Sequence, residues 1–264
     1  KLIENIKKSM MNYNKNNEYI YQNIPLQKTN MVPNFLKSDI INKYVHKYSI
    51  TLKIGIRLFN IDLYFDKKQT NEKLHEIFKY IYYALNTLNN FANTRNSLKV
   101  DITIIFTKEK KKYPKNKDIL DIINVNSAFT QHCSSETEIC IFRKEEWFKV
   151  FLHESFHSFG LEPNHSCEMQ LTNYVAGTLP IKPGVRVSET YVEVWARIIN
   201  VVYSAVINSH GTDDFYNLLR FSLQLEALFS VYQAVRVLNF MNLDYSSVID
   251  RTCVTAKMLY KEDT

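Results

Sequence analysis

Apolar residues first fall into step at Ile50, Leu52, Ile54 and Ile56, alternating with polar or small neighbours. This two-residue period predicts one or two β-strands across residues 50–64. From 71 to 91 the period becomes helical, with Leu74, Ile77, Phe78, Ile81, Tyr82, Leu85 and Leu88 on one face of an amphipathic helix. The β-branched run VDITIIFT at 100–107 predicts a buried strand. IINVNSAFT at 122–130 and EICIF at 138–142 predict two short strands flanking a polar turn. KEEWFKVFLHESFHSF at 144–159 predicts an apolar helix. Glu145 and Glu146 lead it, where acids suit the helix dipole, and Gly160 and Pro163 end it. A second helix starts near Ser188, whose hydroxyl caps it, and runs to about 208. A third covers 213–241, and 248–261 fits either helix or strand. Residues 1–48 are polar and Asn/Lys-rich, with Pro25 and Pro33. They read as an extension lying on the main domain (49–264), with one helix around 38–47. Strands first and helices afterwards give an α+β class.

Composition then removes several functions. The 264 residues are 45% hydrophobic, enough to bury a core at this length. Five glycines provide neither G-x-G-x-x-G nor G-x-x-x-x-G-K, so a nucleotide-binding loop is not expected. The net charge of +6 comes mostly from lysines scattered along the chain, and 108–117 is a basic, exposed loop. Tyr113 is the single aromatic residue there, too few to interleave for base stacking, so the loop reads as a solvated connector and no nucleic-acid partner is expected. Cys133, Cys140, Cys167 and Cys253 form no C-x-x-C pair and are too few for a disulfide framework, which predicts free thiols in a reducing compartment. The most apolar stretch, 194–207, is interrupted by Arg197 and Asn200, so no membrane span is expected.

Chemistry enters at His153-Glu154-Ser155-Phe156-His157, an H-E-x-x-H. Four residues apart on a helix, the two imidazoles project from one face and can share a metal ion, with Glu154 beside it to take a proton from water. Trp147, Phe148, Val150, Phe151, Leu152, Phe156 and Phe159 leave this helix no wet face. Burying two imidazoles and a carboxylate there is costly without partners, and a metal site supplies them. Zinc (Zn2+) in a catalytic site takes three protein ligands. Two residues compete for the third place. Glu189 lies on the next helix, with Glu193 one turn on to orient a ligand imidazole. Val187, Tyr191, Val194, Trp195, Ile198 and Val202 form that helix's expected core face, leaving both glutamates on the opposite stripe. His165 is the other candidate: Gly160 fits H-E-x-x-H-x-x-G-x-x-H, but the final position is Pro163 and His165 follows two residues late.

H-E-x-x-H with a downstream E-x-x-x-E resembles the gluzincin metallopeptidases, including thermolysin-like and anthrax-lethal-factor-like enzymes. FRKEEWFKVFLHESFHSFGLE (142–162) and SETYVEVWARIIN (188–200) resemble more particularly a metallopeptidase family of giant nucleocytoplasmic DNA viruses. The resemblance covers about residues 120–205. It implies a zincin-like fold, zinc on His153, His157 and Glu189, Glu154 as general base, and Glu193 behind a ligand. It also implies an edge strand pairing with a peptide or protein substrate, which Asn126, Ser127 and Ala128 suit. An oxyanion donor is implied as well, with Tyr191, His210, Tyr174 and Arg186 as candidates. The expected setting is the host cytoplasm or virion of a large DNA virus. A different class of function is a catalytically silent zincin scaffold acting in the virion or on host proteins. The intact Glu154 argues for catalysis.

Overall fold

In the computed structural model, which describes residues 1–13, 18–26, 36, 42–114, 120–131, 134–178 and 187–246, Ile50, Leu52 and Ile54 share the buried face of a hairpin. Its arms are β2 (His46–Ile54) and β3 (Arg57–Phe65), and β1 (Ile20–Asn23) pairs with β2. Gly55 and Ile56 make the turn, with Gly55 at φ +61°, the first position of a type II′ turn. The helix α2 (Asn71–Asn89) returns the chain so that β4 (Lys99–Ile105) lies parallel to β3. β6 (Glu136–Ile141) is parallel to β4, and β5 (Ala128–Thr130) runs antiparallel along β6. The mixed six-stranded sheet therefore has the order β1-β2-β3-β4-β6-β5, and with its helices it makes the fold α+β.

The chain divides into two units, Lys1–Lys110 with Ser127–Leu161, and Lys111–Asn126 with Glu162–Thr264. The first holds the sheet, α1 (Leu2–Met11), α2 and α4 (Trp147–Phe159). α2 packs on α1 and on α4, and α4 packs on β5 and β6. Phe59, Ile61 and Leu63 of β3, Ile102 and Ile104 of β4, Ile81 and Leu85 of α2, and Phe151 and Leu152 of α4 are all buried. Arg57, 2% exposed, locks the hairpin to the end of α2: it donates to Asn89 Oδ1 and to the Asn93 and Asn96 carbonyls, and lies over the Phe159 ring.

The second unit is helical, with α3 (Ile122–Val125), α5 (His165–Thr178), α6 (Val187–Asn208) and α7 (Thr212–Phe240). Ser188 donates to Glu168 at 2.7 Å, tying α6 to α5. Arg197 donates to Glu226 and Ser230, tying α6 to α7. Tyr113 stacks on Phe240 at 4.8 Å and carries Arg236 over its ring.

The predicted strands at 50–64, 100–107 and 138–142 and the helices at 71–91 and 213–241 are present within a few residues. Other expectations are corrected. The N-terminal stretch contributes the helix α1 and the strand β1, which its polar composition concealed. Of the helix expected at 38–47, residues 38–41 lie outside the described part, and 42–47 form a turn entering β2. The stretch 122–130 is not one strand. Asp121 accepts from the Ile122 amide, Asn124 Oδ1 accepts from the Asp121 amide, and this capping box turns Ile122–Val125 into a helix despite its isoleucines. The apolar helix starts at Trp147, not at 144, because the Lys144 amide still donates to the Thr107 carbonyl in sheet fashion. Glu145 and Glu146 therefore precede α4, and Glu146 takes a left-handed φ of +56°.

Ser188 lies inside α6 and spends its hydroxyl on Glu168, so it is not the cap. α5 was not expected; its signal was Asn164, whose Oδ1 accepts from the Cys167 amide. The face of α6 is also turned from the expected one. Val192, Ala196, Ile199 and Tyr203 are buried, while Tyr191 and Val194 are 37% and 47% exposed. Glu189 and Glu193 thus flank the buried stripe and are themselves half-buried. By length and apolar content alone, α6 is the one helix among the described residues that could cross a membrane; it carries Glu189, Glu193 and Arg197 and packs on α5 and α7. Cys140 and Cys167 are free thiols; Cys133, Cys253 and the segment 248–261 lie outside the described residues.

Candidate metal centre

α4 places the H-E-x-x-H. Residues 150–152 and 154–159 are buried, as the absence of a polar face requires. Successive helical positions four apart bring His153 and His157 onto one side, and their rings stand at 4.8 Å between centroids. The two Nε2 atoms are 3.0 Å apart. Two nitrogens each about 2.05 Å from a tetrahedral ion would stand roughly 3.3 Å apart, so the pair already converges to the bite of such an ion. One imidazole donating to the other would produce a similar distance.

Three local devices hold this geometry. First, the helix ends in a Schellman motif one turn past His157. The Gly160 amide donates to the His157 carbonyl at 3.1 Å, the Leu161 amide to the Phe156 carbonyl at 3.0 Å, and Gly160 takes φ +63°. Second, a buried hydroxyl cluster pins the last turn to the sheet. Ser158 Oγ lies 2.7 Å from Thr137 Oγ1 and 3.1 Å from Ser97 Oγ, and Ser97 also donates to the Ser158 carbonyl. Third, the Ser155 hydroxyl turns inward to the Phe151 carbonyl at 2.7 Å, removing a polar group from the apolar face. Sequence reasoning missed Ser97, Thr137 and Ser158, because hydroxyl residues scattered over sixty positions carry no local pattern. A serine in the apolar run beside His157 was the one available hint.

Glu154 is 9% exposed and His157 3%, while His153 is half-buried. The Glu154 field reaches Cys140 on β6. Burial first, then the charges of Glu138 and Glu154, push that thiol up to about 12. Cys140 is therefore a packed thiol and no nucleophile.

β5 is the edge strand beside α4. Ala128 faces Ile141, Phe129 faces Cys140 and Thr130 faces Ile139. The Ser127 carbonyl accepts from the Phe142 amide and the Gln131 amide donates to the Glu138 carbonyl. Alternation along an antiparallel strand then directs the N–H and C=O of Ala128 and Thr130 away from β6. No other strand among the described residues pairs with that edge. Asn126 lies just before the strand, at the end of α3, with its amide on the Ile122 carbonyl. Thr130 had not been singled out; the register along β6 is what identifies it.

The remaining candidates belong to the second unit. Glu189 is in the first turn of α6. Glu193 accepts from Arg197 Nε at 2.8 Å, an i,i+4 ion pair that the sequence spacing already permitted. Tyr191 is tilted against Trp195. The His210 amide donates to Asp214, and both Tyr174, 73% exposed, and His165 lie at the surface of α5. Arg186 lies outside the described residues. Comparison of the chain with family models, with curated proteins and with solved structures gives no match in any of the three.

Proposed function

We propose that the chain is a zinc-dependent peptidase of the zincin type. The observation that carries this reading is the pair of imidazoles converging at 3.0 Å on a buried helix with Glu154 between them in sequence. His153 and His157 hold the ion, and Glu189 completes the set, with His165 as the competitor for that third place. Bound there, zinc supplies Lewis acidity toward a carbonyl and makes water a nucleophile at neutral pH. Glu154 receives the proton of the attacking water on its carboxylate and delivers it to the leaving amine. Its burial keeps competing solvent from that proton. The outward N–H and C=O groups of Ala128 and Thr130 hold the substrate backbone as an added strand. Glu193 orients a ligand imidazole, Arg197 fixing the carboxylate in turn. The oxyanion donor is one of Tyr191, Tyr174, His210 and Arg186. Free Cys140 and Cys167 fit the reducing interior of a host cell or virion.

The test is to expose the full chain to a diverse peptide library before and after stripping with a chelator. Cleavage that disappears on stripping and returns with about one equivalent of zinc supports the proposal. A chain that takes up zinc and cuts nothing is the silent scaffold instead.

A further inference from the structure

Within the first unit, a cavity of about 310 Å³ opens at the carboxyl ends of β3 and β4, beside the first turns of α2 and α4. None of His153, Glu154 or His157 lines it. The ends of parallel strands are where such sheets leave a crevice, and this volume is at the small end for ligand sites, room for one or two rings.

Its lining is of two kinds. Phe65 and Phe106 are stacked at 4.6 Å with planes 5° apart, and Trp147 meets Phe106 edge-on at 5.6 Å. These rings form an apolar, aromatic wall, with Trp147 standing across the Phe65–Phe106 stack. Against them stand three lysines and two acids: Lys73, Lys108 and Lys144, with Asp66 and Glu76. Lys108 is closed onto Asp66 at 2.8 Å, and the same contact holds the Asp66 carboxyl below its usual range. Lys73, three positions before Glu76 on α2, sits over the Phe65 ring and donates to Gln69 Oε1. Lys144 is different. Its backbone is fixed by the bond to Thr107, and its ammonium has neither an ion pair nor a hydrogen bond among the described residues, whereas Lys108 holds Asp66 and Lys73 holds Gln69. The cavity therefore carries one surplus positive charge beside an aromatic wall.

We propose that this cavity binds a small aromatic carboxylate, its ring against Phe106 and Trp147 and its charge on Lys144. A single negative charge matches the surplus. A cation is disfavoured by it, and an aliphatic anion leaves the ring wall unused. The site is independent of the metal centre, so the two proposals fail separately.

Calorimetric titration of the full chain tests it, with phenylacetate as probe, acetate and 2-phenylethanol as controls, and Lys144→Gln as the variant. Phenylacetate should bind with Kd below about 1 mM, as expected of so small a ligand in a fitted site. Each control should bind at least about tenfold more weakly, and so should phenylacetate to Lys144→Gln at unchanged melting temperature. Absence of saturable phenylacetate binding, equal binding by the variant, or a control that binds as tightly as phenylacetate overturns the proposal.

Discussion

His153 and His157 share a function in this account but not an environment. His157 is buried among the side chains of the first unit, whereas His153 keeps partial exposure. His153→Ala should therefore abolish zinc binding while lowering the melting temperature little. His157→Ala should abolish it and also cost roughly 2–4 kcal/mol, as other large-to-small changes in packed interiors do. Metal analysis together with denaturant unfolding of the stripped proteins separates the two effects. Glu189→Gln should weaken zinc and His165→Ala should leave it unchanged; the reverse pattern hands the third position to His165. The Cys140 thiol supplies a pH test. Its value near 12 in the folded state exceeds that of an exposed thiol, so the unfolded chain loses its proton first as pH rises. Stability should fall from about pH 9 upward, toward pH 12, and fall less steeply in Cys140→Ala. In the native protein at pH 8, alkylation followed by peptide mapping should mark exposed Cys167 well before Cys140.

At the scale of elements, the site depends on how α4 is started and stopped. Gly160→Ala puts a side chain at φ +63° and should cost about 1 kcal/mol, loosening the turn that carries His157. Gly55→Ala is strained in the same sense at φ +61° but lies in the β2–β3 turn. It should destabilise comparably without changing zinc affinity, measured by competition with a chelating dye. Thr137→Val leaves Ser158 short of a buried partner and should cost about 1–3 kcal/mol, with a further loss of zinc affinity if the hydroxyl cluster positions the helix. The elements also show what a sequence can express. Period-two alternation at Ile50–Ile54 and a 3.6-residue period after Asn71 announce β2 and α2, because each face is buried along its whole length. β1 has every residue exposed and so has no alternation to read. Ile122–Val125 reads as strand by residue type, yet two side-chain bonds from Asp121 and Asn124 decide it. For α6, apolar residues lie on more than one face of the helix, and only packing selects Val192 and Ala196 over Tyr191 and Val194.

For the molecule as a whole, strands early and helices late were enough to place it in the α+β class, and the mixed sheet bears that out. The order of the sheet was beyond the sequence, since β6 pairs with β4 across thirty intervening residues and β5 inserts at the outer edge. The histidine pair was legible because its spacing is local; Ser97 and Thr137 were not, because only the tertiary fold brings them to Ser158, and Thr130 was not, because only the β5–β6 register turns its backbone outward. The surplus of six positive charges is spread over surface lysines such as Lys1 and Lys108 and needs no polyanion to explain it. Whether Glu154 moves a proton during peptide hydrolysis is decided by comparing wild type with Glu154→Gln at equal zinc occupancy. Zinc content should be unchanged and cleavage slowed by at least about 10²-fold, the range a general base contributes. Cleavage by Glu154→Gln at the wild-type rate would contradict that role.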